Sequence, residues 1–255
     1  MKRALAIFAF VAVAALSLNF VKYSWASWPQ DGCRSLNCYC ETIRDSLVLQ
    51  PVVAYSNLGF LLAGLLILIQ TQVRSDGFSR SLPARIFGLA VILIGAGSFF
   101  YHASLTRLGE WFDLMGTYLF ISFLMLYNFA RLQPFGGLAF TASYLAINSA
   151  LGVQMIVARE LQQIMFGILA AGALMFEVLV QVRRRPRVQF RFLIGGLACF
   201  VVGAFIWIFD SNSALPCAPQ NLFQWHAVWH LLMAVTAGLL FLYYRSGFRT
   251  TDLPN

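Results

Sequence analysis

Eight apolar stretches, near residues 4–21, 52–70, 86–104, 111–130, 135–157, 161–181, 190–209 and 222–244, each approach the twenty or so helical residues that cross a hydrocarbon core of about 30 Å. Nothing else constrains the fold as strongly. A backbone in lipid must satisfy its own hydrogen bonds, and a helix does so within one segment. Residues of the hydrophobic set make up 60% of the chain and charged residues 11%, against roughly 45–50% and about 25% in a soluble domain. That excludes a soluble domain, a disordered tail and a nucleic-acid binder. Ser75-Asp76-Gly77 with Pro83, Gln133-Pro134, Arg183 to Pro186, and Asn212 through Pro219 punctuate the stretches, and the short connections make neighbouring helices antiparallel. The expectation is an all-α membrane protein, a seven-transmembrane helix bundle with an additional N-terminal hydrophobic segment.

The net charge of +8 orients this bundle. If the first segment starts inside, only Lys22, Arg34, Arg44, Arg107 and Arg159 lie outside, and the other thirteen of the eighteen Lys and Arg lie inside. The positive-inside rule selects that topology and puts the C-terminus in the cytoplasm. The run from Arg183 to Arg191 is then a topology determinant rather than a polyanion grip. Residues 1–26 combine Lys2-Arg3, an Ala/Phe/Val core and a small-residue site at Ser24-Trp25-Ala26, so they read equally as a signal peptide or an eighth span. Either way 27–51 is an extracytoplasmic segment, 52–244 the seven-span domain and 245–255 a cytoplasmic tail. Trp25, Trp28, Trp111 and Trp229 fit an interfacial aromatic belt.

Polar and ionisable residues inside spans are costly and therefore functional hypotheses. They are Ser98, His102, Glu110, Asp113, Glu177, Asp210, His226 and His230, a set that holds all three histidines of the chain. His226 and His230, four apart, share one helix face, as when one helix gives two metal ligands. Ser98 and His102 repeat the spacing. By the topology, His102, Asp113, His226 and His230 fall at one depth near the extracytoplasmic face. Three neutral imidazoles there suit zinc, which in catalytic sites takes three protein ligands and a water. Asp113 would take and return the proton of that water, and Ser98 would support the water or a developing oxyanion. Glu177, one and a half to two turns before Arg183 and Arg184, is expected to pair or snorkel at the inner face rather than serve chemistry.

Gly97-Ser98-Phe99-Phe100-Tyr101-His102 and Gln224-Trp225-His226-Ala227-Val228-Trp229-His230 resemble the Ser-x3-His and His-x3-His signatures of alkaline ceramidases, seven-span zinc amidases of the wider group that includes the progestin and adipoQ receptors. Cys40-Glu41, Ser56-Asn57-Leu58, and Trp207-Ile208-Phe209-Asp210 with Cys217 extend the resemblance over most of residues 38–244. It implies zinc on His102, His226 and His230, acid/base work by Asp113, and support by Ser98. Two departures stand out. Members resemble one another in an acidic calcium-binding loop, whereas here only Glu41 and Asp45 offer carboxylates and Gln50 stands where another is expected. A hard cation wants six to eight oxygens, so calcium is doubtful. Phe166 occupies the place of an expected tyrosine.

Cys33, Cys38, Cys40 and Cys217 fall in the external segments, where an oxidising compartment favours disulfides. The resemblance implies Cys40–Cys217, which leaves Cys33–Cys38. The function expected is an intramembrane zinc-dependent hydrolase acting on a linear amide, the N-acyl bond of ceramide or a ceramide-like lipid drawn from the bilayer, with release of a long-chain base and a fatty acid. The alternatives are a same-fold hydrolase of another lipid amide or ester, and a non-catalytic, receptor-like lipid-binding protein. A transporter would place its polar groups at the midplane on broken helices.

Overall fold

The computed structural model describes residues 2–36, 38–73, 77–211 and 214–247. In chain order the helices are α1 (Lys2–Ser17), α2 (Gly32–Leu36), α3 (Pro51–Ser56), α4 (Leu58–Val73), α5 (Gly77–Arg80), α6 (Leu82–Ser104), α7 (Arg107–Leu132), α8 (Gly137–Val157), α9 (Gln162–Arg183), α10 (Phe190–Ser211) and α11 (Trp225–Gly247). Seven helical segments among the described residues are long and apolar enough to cross a membrane, with α3 and α4 together forming the first of them. The chain is an all-α, multi-pass membrane protein. Arg74, Ser75, Asp76, Asn212 and Arg249 lie outside the described residues, as do the side chains of Lys2, Arg3 and Arg80.

Local chemistry explains the helix ends that matter for the site. Ser81 accepts the Ala84 N–H at 3.3 Å and Pro83 sits in the first turn of α6. Thr106 caps α7 by accepting the Gly109 N–H at 3.1 Å. Between α6 and α7 stands Leu105, a non-glycine residue at φ 47°. That left-handed backbone costs on the order of 1–2 kcal/mol, and the Leu105 side chain offsets it by being wholly buried with Trp25, Leu49 and Tyr101. The N-terminal segment docks on this corner through Asp31 N–H to Leu105 O and Arg107 N–H to Pro29 O, both 3.0 Å. Trp25 is therefore part of a buried cluster rather than of an interfacial belt, and its indole N–H donates to Leu47 O.

α6 and α7 cross at glycines. A Cβ on Gly116 would stand 2.7 Å from Ile94 Cα, and one on Gly97 would run into the Phe112 carbonyl, so the two backbones touch as small residues allow in membranes. One half of the bundle is filled by aromatic packing among Phe78, Phe87, Phe123, Phe241 and Tyr243, all without solvent exposure. At that end Glu177 pairs with Arg131 of α7 at 2.5 Å and accepts hydrogen bonds from Gln181 and Tyr243. Glu177 thus pairs rather than snorkels, and with Arg131 rather than Arg183 or Arg184, because Arg131 faces it across a helix contact. α11 starts at Trp225, three residues later than the apolar pattern suggests. The Gln224 amide donates to the carbonyls of Ala218 and Asn221 and holds Leu222 and Phe223 in an exposed loop.

Candidate metal centre

At the other end of the bundle the last turns of α6 meet the first turns of α11. His102, His226 and His230 are all buried there, and their ligand atoms lie within 4.8 Å of one another. Ring centroids stand 5.0 Å apart for His102 and His226, 5.2 Å for His102 and His230, and 4.7 Å for His226 and His230. Each ring is oriented by a different element. Gln50, just before α3, offers its Oε1 to His102 Nδ1 at 3.0 Å. Ser56, at the break between α3 and α4, bonds His230 Nδ1 at 2.8 Å. Asp210 at the end of α10 faces His226 Nδ1 at 3.5 Å, close enough to hold the ring by charge.

The Nδ1 atoms of His102 and His230 are thus taken by Gln50 and Ser56, and each of the three histidines brings one ring nitrogen within 4.8 Å of the others. His102 Nε2 is buried with no hydrogen-bond partner among the described residues, a costly state for a ring nitrogen unless a ligand takes it. Two imidazoles whose other nitrogen rests on an amide and a hydroxyl, and a third whose Nδ1 faces a carboxylate at 3.5 Å without a hydrogen bond, resemble the outer shell of a metal site. The donor set therefore fits a metal ion.

Ser98, one turn below His102, brings its hydroxyl to 3.4 Å from His230 Nε2, and Asp113 lies on α7 across the crossing from it. The glycine crossing explains this juxtaposition, because the residue beside Ser98 is Gly97, which lies against the backbone of Phe112 and Asp113. Asp113 is half-buried in the first turns of α7. The structure so gathers the five residues singled out in the sequence. Phe166 does not join them; it packs with Tyr118, Leu151 and Leu169.

The segment before α3 covers the cluster and supplies residues that the sequence reading gave no role. Tyr39 lays its ring 4.3 Å from His226 and 5.0 Å from His102. Its neighbours are fixed: Cys38 and Cys33 stand at disulfide distance, Cα–Cα 4.9 Å, and Cys40 and Cys217 likewise, at 5.5 Å. Glu41 accepts the N–H groups of Val52 and Val53, both at 2.8 Å, and so caps α3 with both oxygens. Burial raises its pKa, and those two amides offset part of the rise. Asp31 accepts from Tyr101 at 2.8 Å and from Arg159 at 2.7 Å, and Arg159 also meets Glu110. Burial alone would raise the Asp31 carboxyl, but the Cys33 and Gly32 amides, the Tyr101 hydroxyl and the Arg159 guanidinium outweigh it and hold the pKa below the ordinary value.

Gln50 and Tyr39 lie in irregular chain, where no periodicity marks a side chain as inward. The one available signal was that Gln50 is a polar residue at the mouth of a span and Tyr39 an aromatic one between two cysteines.

No curated protein matches the sequence. A family model described as Ceramidase matches residues 40–252, a stretch that holds the whole histidine cluster together with Ser98, Asp113, Gln50 and Cys40. Membership supports a ceramide-hydrolysing activity, that of a hydrolase cutting an amide in a membrane lipid. By this match the chain belongs to the alkaline ceramidase family.

Proposed function

We propose that the protein is an intramembrane zinc-dependent amidase that hydrolyses the N-acyl bond of ceramide or a ceramide-like lipid to a long-chain base and a free fatty acid. The observation that carries the reading is the buried three-imidazole cluster with an orphaned His102 Nε2, beside a serine and a carboxylate. His102, His226 and His230 hold the ion, and nitrogen-only coordination favours zinc over hard cations. When bound, zinc supplies Lewis acidity toward the amide carbonyl and makes water acidic enough to attack near neutral pH.

The chain's own residues do the rest. Asp113 accepts the proton of the attacking water and delivers it to the nitrogen as the C–N bond breaks, so the amine leaves without forming as an anion. Ser98 donates to the carbonyl oxygen as that oxygen gains charge. Calcium has no part in this reading, since Glu41 spends both oxygens on α3. Lipid reaches the cluster from the bilayer. The charge asymmetry puts the cluster near the extracytoplasmic face and the C-terminus in the cytoplasm.

The test uses purified full-length protein in detergent. Elemental analysis should find about one zinc per chain, as a three-histidine catalytic site requires. Chelation should abolish fatty-acid release from a ceramide, and added zinc should restore it. His226→Ala and His230→Ala should each lose the metal. Stoichiometric zinc surviving in both variants would overturn the ligand assignment.

A further inference from the structure

We propose that the start of α10 and the end of α11 form a binding site for the phosphate of an anionic phospholipid headgroup, in the leaflet opposite the metal centre. The proposal goes beyond the hydrolytic reading and does not depend on it. Its first support is a cavity. About 320 Å³ of space lies between these two helix ends, a volume within the range of small-ligand sites, at the far end of α11 from His226 and His230. Gln189, Arg191 and Phe192 line one side of it, and Leu242, Arg245 and Ser246 the other.

Charge is the second support. Two of the six lining residues are arginines and none of them is acidic. Arg191 is exposed and makes no ion pair with a carboxylate among the described residues. Glu177, an acid of this end of the bundle, is already paired with Arg131. Arg183, Arg184, Arg185 and Arg187, all exposed on the segment that leads into α10, add to the positive field. A guanidinium suits phosphate because its parallel N–H donors match two oxygens at once.

The walls are fixed before any ligand arrives. Gln189 N–H donates to Ser246 Oγ at 2.9 Å, and Ser246 Oγ donates to the Tyr243 carbonyl at 2.7 Å, so the two sides are tied together. The Ser246 proton is spent there, which leaves recognition to the guanidinium groups. Gln70 of α4 accepts from Arg245 at 2.5 Å and holds that cation against the bundle. The Arg191 guanidinium carbon stands 4.8 Å over the Phe192 ring, a contact that steadies the charge without using a donor.

The surroundings favour a lipid over free phosphate. Both helices are long and apolar enough to cross a membrane, so their ends lie at headgroup level. Phe192 and Leu242 give the cavity an apolar part beside its two cations. From the same level Phe190, Ile194, Leu197 and Val201 run along α10 as an exposed apolar stripe, a track for an acyl chain. The charge asymmetry puts this end at the cytoplasmic leaflet, whose surface is negative.

The test titrates full-length protein in detergent with dioleoylphosphatidylglycerol or dioleoylphosphatidylcholine and counts bound lipid by native mass spectrometry. Wild type should retain phosphatidylglycerol in preference to phosphatidylcholine. Arg191→Gln should bind phosphatidylglycerol about 5-fold more weakly, the worth of one arginine near an anionic surface. Arg85→Gln removes an exposed cation from the first turn of α6, outside the cavity, and should bind as wild type does. Equal weakening in the two variants, or no preference for phosphatidylglycerol in wild type, overturns the proposal by reducing the site to diffuse surface charge. Unchanged binding in Arg191→Gln overturns it as well. So does complete displacement of the lipid by an equal concentration of inorganic phosphate, which would make the cavity a site for the free anion.

Discussion

Gln50 Oε1 sits 3.0 Å from His102 Nδ1, so an amide in the segment that caps the bundle fixes the tautomer and angle of a buried imidazole on α6. The Gln50 Nε2 in turn donates to Glu41 O, which ties the same side chain back into the cap. Removing an outer partner of this kind typically costs about 10- to 100-fold in metal affinity or activity. Gln50→Ala should therefore weaken zinc retention in a competition with a chelator by that factor, while leaving the helical content unchanged. Unaltered retention would show that the ring is held by packing alone.

The carboxylate calls for a different variant. Asp113→Asn keeps the volume but cannot accept a proton. It should keep its zinc and lose hydrolysis by about 10²- to 10⁴-fold, the usual worth of general acid–base catalysis. Comparison of fatty-acid release at equal metal content decides it. Equal turnover in wild type and Asp113→Asn would make the carboxylate no more than a residue of the first turns of α7.

Most of the fold was legible because lipid admits few solutions. Spans follow from apolar length. The three histidines stood out because an imidazole in such a stretch is costly, and the i, i+4 spacing gave their common face. What could not be read were contacts made by chain without a period. Gln50 and Tyr39 reach the cluster only because the cap is tied down at Leu105 and beside Cys217, a tertiary fact. Ser56 and Asp210 were visible as polar residues at helix ends, yet their partners lie on other helices. Glu177 shows the same limit: sequence proximity pointed to Arg183 and Arg184, whereas the helix packing supplied Arg131.

The glycine crossing that sets Asp113 beside Ser98 can be tested directly. A Cβ at Gly97 would lie 2.7 Å from the Phe112 carbonyl carbon and 3.0 Å from Asp113 N, so Gly97→Ala must push α7 away from α6. Overpacking of this kind costs about 1–3 kcal/mol. Gly97→Ala should lower the melting temperature in detergent and depress turnover through displacement of Asp113. Gly238→Ala is the control, since nothing lies within 4 Å of a Cβ there, and removing a helix-interior glycine should be neutral or stabilising by up to about 1 kcal/mol. Similar melting shifts in both variants would mean that the crossing tolerates a methyl group.

The cap carries the last prediction. Cys40 and Cys217 are 177 residues apart in sequence, and their bridge would close a loop around nearly the whole bundle. In the chain-entropy model a loop that long contributes on the order of 4 kcal/mol or more, a value that confinement of the unfolded chain in the membrane reduces. Its larger effect is local. Thr42 N–H donates to Pro219 O at 3.0 Å beside the bridge, so the pair joins the cap to the loop that leads into α11 and its two histidines. Peptide mapping of unreduced, alkylated protein should recover a Cys40–Cys217 cross-linked peptide and a second one joining Cys33 and Cys38, with Cys199 alkylated. Cys40→Ser should lower the melting temperature and speed zinc loss to a chelator, because the cover over His102 and His226 is then held by noncovalent contacts alone. Recovery of Cys217 as the alkylated thiol, with Cys40 linked to Cys33 or Cys38, would show that the cap is closed on itself and not onto the metal-bearing helix.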